Sequence, residues 1–456
     1  MRWPGSTIDS PPEAARSRSI RGPWSPLPTR ACALRRPLAL VFALLATGPP
    51  SAAQEALPAR LTLGWALERA RERNPDLQAA QSRYLAMRER PSQAGALPDP
   101  SLGVRYHNED WGITFGDAEF SFLEVAAEQE VPFPGKLGLR ERIALREAER
   151  ERAMRDMTLL MILSEVAATH ADLAVVERSE VILRESQRVL ELIVEQTAAR
   201  YSVGEAAQQD VLRAAQERGV LEERLTMLAR RRAALRAALA ALLDLGEAAL
   251  PPTDGLDGVP AVAPLEELEA KVSEGSPTLR AAREELLRAG DELRLAHREY
   301  FPDFAFMGAY TNKGPLLPEW ELGARVTVPL YYWRKQRAAV AEAAYAERAA
   351  ERARRAAELS LQARLADLHA MAMASQRLVA LYADTLIRQG IATLESARAS
   401  YAVGEVDFLT TLTAWTSLLE YRLRHAEESG NLRRAVAEIG PLVGETPLGE
   451  PLGNPP

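Results

Sequence analysis

The chain repeats itself, and the repeat restricts every fold it can adopt. Tyr201-Ser202-Val203-Gly204-Glu205 returns as Tyr401-Ala402-Val403-Gly404-Glu405, about 200 residues further on. Leu212 matches Leu412, Pro98-Asp99 matches Pro302-Asp303, and Val131-Pro132 matches Val328-Pro329. Asn74-Pro75-Asp76-Leu77-Gln78-Ala79-Ala80 returns loosely as Ser276-Pro277-Thr278-Leu279-Arg280-Ala281-Ala282. Markers in the same order at near-constant offset mean a duplicated unit. The spacing sets the first repeat at residues 54–250 and the second at 265–440. The Pro-, Gly- and Asp-rich stretch 251–264 reads as a linker. The Pro/Gly-rich residues 441–456 read as a flexible tail.

Each repeat reads as a helix, two strands and a very long helical hairpin. The first helix is expected from Thr62 to Arg90, ending at Pro91, with a counterpart from Leu265 to Tyr300. From Lys136 the pattern turns helical for a long stretch. Leu159, Ile162, Val166, Thr169, Leu173, Val176, Leu183 and Leu190 fall on a heptad rhythm, and Leu221, Leu225, Leu228, Arg232, Leu235, Leu239 and Leu242 answer it. That rhythm is a coiled-coil seam. A helix from Lys136 to Arg200 is about 98 Å long at about 1.5 Å per residue. Such a rod suits a molecule that crosses a compartment.

The strands are expected at about 101–108, 119–131, 303–311 and 319–329. Trp320, Leu322, Ala324, Val326 and Val328 alternate with Glu321, Gly323, Arg325 and Thr327. Phe304, Phe306, Gly308 and Tyr310 alternate with Ala305, Met307, Ala309 and Thr311, and Leu102, Val104 and Tyr106 with Gly103, Arg105 and His107. Leu123, Val125, Ala127 and Val131 alternate with Phe122, Glu124, Ala126, Glu128 and Glu130. Such alternation suits an outer-membrane barrel strand and also a half-buried sheet in water. Four strands cannot close a barrel, and an open edge in lipid leaves backbone groups unpaired. Strands in lipid must therefore be pooled between chains, and three chains would supply about twelve. Glu124, Glu128, Glu130 and Glu321 would then line the lumen. Trp320, Tyr106 and Tyr310 near the strand ends suit a membrane-interface girdle.

Composition removes other classes. The chain is 47% hydrophobic and 26% charged with a net charge of −7, too apolar for disorder and without the basic field of a nucleic-acid binder. Cys32 is the one cysteine, so no intramolecular disulfide and no cysteine-based metal site can form. Residues 1–53 read as an export signal behind an N-terminal extension from a misassigned start. Arg30, Arg35 and Arg36 precede the apolar run Leu38–Ala46 and the small residues Ser51-Ala52-Ala53, with cleavage expected after about Ala53. No later apolar run is expected to span a membrane. The sequence has no phosphate-binding loop, no dinucleotide glycine motif, no HExxH and no nucleophile elbow, so the protein is expected not to be an enzyme and to need no cofactor or resident metal.

The order helix, Leu97-Pro98-Asp99-Pro100, strand pair, Val131-Pro132-Phe133-Pro134-Gly135-Lys136, long helix, Arg200-Tyr201-Ser202-Val203-Gly204-Glu205, given twice, resembles the TolC family of outer-membrane efflux ducts. The opening Leu61-Thr62-Leu63-Gly64-Trp65-Ala66-Leu67 with Asn74-Pro75 also looks like that family's first helix. The resemblance covers residues 60–440. It implies a mainly α chain with a small β part: a homotrimer with a twelve-stranded barrel in outer-membrane lipid above a periplasmic helical barrel. The implied partners are a periplasmic adaptor (membrane fusion) protein and an inner-membrane pump, which deliver substrates to a passive exit duct. It also implies that the Tyr-x-x-Gly turns lie at the periplasmic tips, so Tyr201, Gly204, Glu205, Tyr401, Gly404 and Glu405 are the expected adaptor-docking residues.

Some family members narrow the tip with aspartates past the second turn. This chain has Thr410 and Thr413 there, so Asp210 and Asp407 become the candidate aperture carboxylates, and helix-start solvation is an equal alternative for both. Phe133-Pro134-Gly135-Lys136 looks most like the branch serving heavy-metal and cation pumps. Met154, Met157 and Met161, and His369, Met371 and Met373, would suit soft cations but read first as core filler. His107, Glu109, Asp110 and Asp117 read as a solvated loop. A periplasmic coiled-coil adaptor or scaffold without a barrel is the alternative reading.

Overall fold

Capping residues decide where the helices break. A computed structural model describes residues 58–109, 111–112, 120–246 and 250–451, all within one unit, Leu57–Pro456. The expected leader and the loop residues Asp110 and Asp117 lie outside the described residues. α1 spans Leu63–Arg73 and is capped by Thr62, whose hydroxyl accepts from the Trp65 amide at 3.4 Å. Asn74 ends α1 and opens α2, Pro75–Arg88. Its Oδ1 accepts from the Asp76 and Leu77 amides at 3.0 and 3.2 Å, and its Nδ2 donates to the Leu242 carbonyl at 3.0 Å. α3 is Arg90–Gly95, with Pro91 in its first turn. The single helix expected from Thr62 to Arg90 is thus three pieces, and Pro91 starts one rather than ending one. Proline in a first turn removes an amide that has no partner there anyway.

β1 (Ser101–His107) and β2 (Phe122–Val131) follow, then α4 (Lys136–Ser202) and α5 (Gln208–Leu242). The second repeat gives α6 (Leu265–Gly275), α7 (Pro277–Arg298), β3 (Asp303–Asn312), β4 (Glu319–Thr327) and α8 (Lys335–Leu381). A π turn, Tyr382–Leu386, joins α8 to α9 (Ile387–Ala402), and α10 is Phe408–Val443. The path Lys335–Ala402 is one residue longer than the 67-residue α4, and a π turn is how a helix absorbs one extra residue. The expected counterpart helix from Leu265 to Tyr300 breaks at Ser276-Pro277. The segment expected as a tail from residue 441 opens as helix, since α10 runs through Pro441 to Val443. Ile439 and Val443 are buried there with Leu268, Val272, Leu365 and Leu368, and that burial offsets the local cost of proline.

The four strands form one antiparallel sheet in the order β1-β2-β3-β4. Hydrophobic cores and a charged seam hold the helices together. At one level Leu61 and the α1 residues Ala66, Leu67 and Ala70 pack against Leu163, Val166 and Leu173 of α4 and Leu239 and Leu243 near the end of α5. At the far end of the hairpins Leu190, Ile193 and Leu221 meet Leu394, Phe408, Leu412, Trp415 and Leu418. Nearer the sheet, α4 and α7 are joined by charge: Arg142–Asp291 at 3.5 Å, Arg146–Glu284 at 3.1 Å, Arg150–Glu285 at 3.4 Å and Asp156–Arg280 at 2.9 Å. One stretch of α4 is apolar and long enough to cross a membrane, against expectation, but 67% of it is buried among the other helices. It is core.

Candidate functional site: a channel wall and two hairpin tips

The register sorts the sheet into two faces. Arg105 sits opposite Glu124, Glu124 opposite Thr311, Ala309 opposite Glu321, and Ala305 opposite Arg325. Val104 sits opposite Val125, Val125 opposite Tyr310, Tyr310 opposite Trp320, and Phe306 opposite Ala324. Paired residues share a face. One face is therefore apolar across all four strands, apart from Gln129 and Asn312 near its ends, and the other is polar. The apolar face is not covered: Leu102 is 79% exposed, Val104 71%, Trp320 75% and Leu322 76%. β1 and β4 are the edges, so in one chain their outer backbone groups face no strand. A bare apolar face with two bare edges is unstable in water and in lipid alike until copies close it.

The polar face was expected to be acidic. Three of its five glutamates are instead matched: Glu124 pairs with Arg105 at 3.5 Å, Glu128 with Arg325 at 2.9 Å and Glu319 with Lys313 at 2.6 Å. Arg105 and Glu124 are direct cross-strand neighbours of opposite charge, whereas Arg325 of β4 reaches Glu128 of β2 across β3. Glu130 and Glu321 remain without an ion pair among the described residues.

The strand-to-helix junction is locked by Lys136, which is only 1% exposed. Its Nζ donates to Glu299 Oε2 at 3.1 Å, the Phe301 carbonyl at 3.1 Å and Asp303 Oδ2 at 2.9 Å. Asp303 Oδ1 in turn accepts from the Phe133 amide at 2.7 Å, and the Phe133 and Phe301 rings stack at 4.6 Å. Three donors meet three acceptors, which is the condition for a buried ammonium. The start of α4 in one repeat is thereby fixed to the start of β3 in the other.

Both tips use one backbone design. Gly204 and Gly404 each have φ of +80°, a conformation that costs glycine nothing. The Glu205 amide donates to the Arg200 carbonyl at 2.8 Å and the Gly204 amide to the Tyr201 carbonyl at 3.0 Å. The second tip repeats the pair, with Glu405 to Ser400 at 2.9 Å and Gly404 to Tyr401 at 3.2 Å. These are Schellman closures.

The side chains diverge. Tyr201 is 46% exposed and Val203 69%, with Gly204 and Glu205 also exposed. Tyr401 is 3% exposed, so its side chain offers little surface at the tip. Its hydroxyl reaches Thr197 Oγ1 at 3.3 Å, its ring meets Phe408 at 6.2 Å, and the Arg200 guanidinium lies 4.9 Å from its centre. Arg200 also donates to the Tyr401 carbonyl and approaches Glu205 at 3.7 Å. Val403, Gly404 and Glu405 stay exposed. Arg200, Thr197 and Phe408 were not expected at the site. The one available signal was the mismatch between Arg200 and Ser400 in otherwise matching turns.

The two aspartates also differ. Asp407 caps α10: its Oδ1 accepts from the Thr410 amide at 2.9 Å and from the Thr410 hydroxyl. That hydroxyl first, then the amide, hold its carboxyl below the usual carboxylate range. Asp210 is in the first turn of α5, where the helix dipole favours it, and it carries no ion pair among the described residues. Among the described residues no cluster of His, Cys, Asp and Glu is arranged to hold a metal ion.

A small sheet with one bare apolar face, joined to two helical hairpins of which one helix is 67 residues long, defines a class: a helical duct ending in a shared β-barrel. Residues 270–445 match the family model for outer membrane efflux proteins. That match lies within the second repeat, and both repeats together have the TolC-like architecture. Solved structures agree on the fold. The outer-membrane channel OprN is similar with a TM-score of 0.73 and 18% identity, covering 84% of this chain and 89% of that one. The outer membrane protein VceC of Vibrio cholerae gives 0.70 and 18%, covering 86% and 97%. CusC gives 0.71 and 14%, covering 87% and 96%. No curated protein sequence matches the chain closely.

Proposed function

We propose that the protein is the outer-membrane channel of a tripartite efflux system. The observation that carries this is the sheet: an apolar face continuous over four strands, with two unpaired edges, joined directly to helices about 100 Å long. Three of the four strands have 9 or 10 residues, which suits a tilted bilayer crossing, and β1 has 7. Three copies would close the sheet at about twelve strands and stack the hairpins into a periplasmic tube. A soluble scaffold has no use for such a face, and an adaptor has no reason for two hairpins in tandem. The chain does no chemistry on what it passes.

The docking surface for an adaptor is then the exposed part of the tips: Tyr201, Val203, Gly204 and Glu205 in the first, Val403, Gly404 and Glu405 in the second. Tyr401 supports the tip from inside. Of the two aperture candidates, Asp210 has its carboxylate available, whereas that of Asp407 is engaged by Thr410. A ring of Asp210 from three copies would favour cations. The spread of similar channels favours no substrate class, so metal cations stay a hypothesis carried by the Phe133-Pro134-Gly135-Lys136 resemblance.

The test is conductance. The purified protein, added to a planar lipid bilayer, should open a lasting ohmic pore, and Asp210→Asn should reduce its preference for cations more than Asp407→Asn does. Protein that stays in the membrane fraction but never conducts would contradict the duct reading.

A further inference from the structure

We propose that the turn Tyr331-Tyr332-Trp333 and the cations Arg334, Lys335 and Arg337 bind the anionic headgroups of phospholipids in the leaflet nearest the helices. This inference rests on the reading that the sheet lies in a bilayer. The segment follows β4 at the helical end of the sheet, so it continues the edge of the apolar face. Tyr331 is 70% exposed, and Tyr332 and Trp333 are each 54% exposed. Their rings support one another, with Tyr332 and Trp333 at 5.3 Å and Tyr331 and Trp333 at 5.9 Å, and Tyr332 leans on Tyr300 at 6.5 Å. The turn is ordered by its backbone. The Tyr331 carbonyl accepts from the Arg334 and Lys335 amides at 3.1 and 3.0 Å, and the Tyr332 carbonyl from the Arg337 amide at 2.9 Å. Amphipathic rings held in place at the end of a lipid-facing strand belong at the headgroup level.

The charges point to anions. Lys136, Lys271 and Lys313 each pair with a carboxylate. Lys335 does not, and neither do Arg334 and Arg337, although all three are exposed. They stand at the positive end of α8, whose first turn holds no acidic residue. Three unpaired cations at a helix start oppose the helix dipole, and an anion nearby relieves the conflict. Between them Gln336 is 8% exposed and its amide oxygen has no partner. A glutamine amide can turn to offer its NH₂ instead. Phosphate charge, with rings to hold the glycerol and upper acyl region, satisfies every group in the cluster. The rings are what choose a lipid headgroup over a free phosphate ion.

The test uses the full mature protein assembled in non-ionic detergent. Phosphatidylglycerol and phosphatidylcholine are offered in equal amounts, and bound lipid is counted by native mass spectrometry. The wild type should retain phosphatidylglycerol in preference. Arg334→Gln, Lys335→Gln and Arg337→Gln should lower that preference by about five-fold per cation removed at low salt, while Arg334→Lys with Arg337→Lys should keep it. A benzophenone side chain at position 331 should yield a lipid adduct. An unchanged preference in the triple variant, displacement of the lipid by inorganic phosphate, or an adduct to a second copy of the chain would each overturn the proposal. Protein found in the membrane with no preference removes this inference alone. Protein absent from the membrane removes the channel reading with it.

Discussion

The first and second hairpin tips have the same turn, Tyr-x-Val-Gly-Glu, closed by the same pair of hydrogen bonds and the same left-handed glycine. Around that common backbone the surroundings are opposite. Tyr201 stands out at 46% exposure, while Tyr401 is packed at 3% beside Phe408 and under Arg200 of the other tip. Ala207 offers α5 no side-chain cap, while Asp407 caps α10. Duplication copied the backbone and left the side chains free to divide the work. One tyrosine packs into the end of the hairpin pair, and the other stands exposed. The same division occurs at the opening helices, where Asn74 caps α2 but Ser276, its counterpart, has a buried hydroxyl without a partner.

The comparison breaks most readily at the tyrosines. Tyr401→Ala removes a buried ring, and we expect a loss of about 3–5 kcal/mol in urea unfolding of the detergent-solubilised protein. Tyr201→Ala should stay within about 0.5 kcal/mol yet weaken capture of an adaptor. Equal losses at both positions would mean the tips are not different. Arg200→Ala comes next, at about 2 kcal/mol, because it removes a charged bond to a carbonyl and the contact with the Tyr401 ring.

The glycines sharpen the comparison on a smaller scale. Gly204→Ala should cost about 1–2 kcal/mol for the left-handed backbone alone. Gly404→Ala should cost more, because an added Cβ would meet the Arg200 guanidinium at 3.1 Å. Double variants with Arg200→Ala should bring the two values together. The smallest effect is at Asp407. Its folded carboxyl titrates below the unfolded one, so its stabilisation is full above about pH 4 and is lost as the pH falls through the lower folded value. Thermal unfolding of Asp407→Ala should therefore differ from wild type at neutral pH and converge with it in acid, with no such convergence for Ala207→Ser.

Much of this was readable in the sequence. Alternation placed the strands to within three residues where they are described, and the heptads placed α4 and α5, because periodic burial is a local pattern. What escaped depends on residues distant in the chain. The Lys136 network joins positions 163 to 167 apart, and Tyr401 meets Thr197 across 204 residues. The nearly identical turn sequences did not reveal which tyrosine is covered, since the cover comes in part from the other hairpin. Pro91 was read as a stop and Pro441 as part of a loose tail, and position in the first turn or burial of the flanking helix decided otherwise.

The central claim is that the sheet of one chain is a third of a barrel. The most direct measurement is the native mass of the protein extracted with mild detergent from outer-membrane fractions. The account predicts three chains, held together until the sample is heated, and no soluble pool. A monomer recovered from the soluble fraction with its apolar sheet face exposed would contradict it.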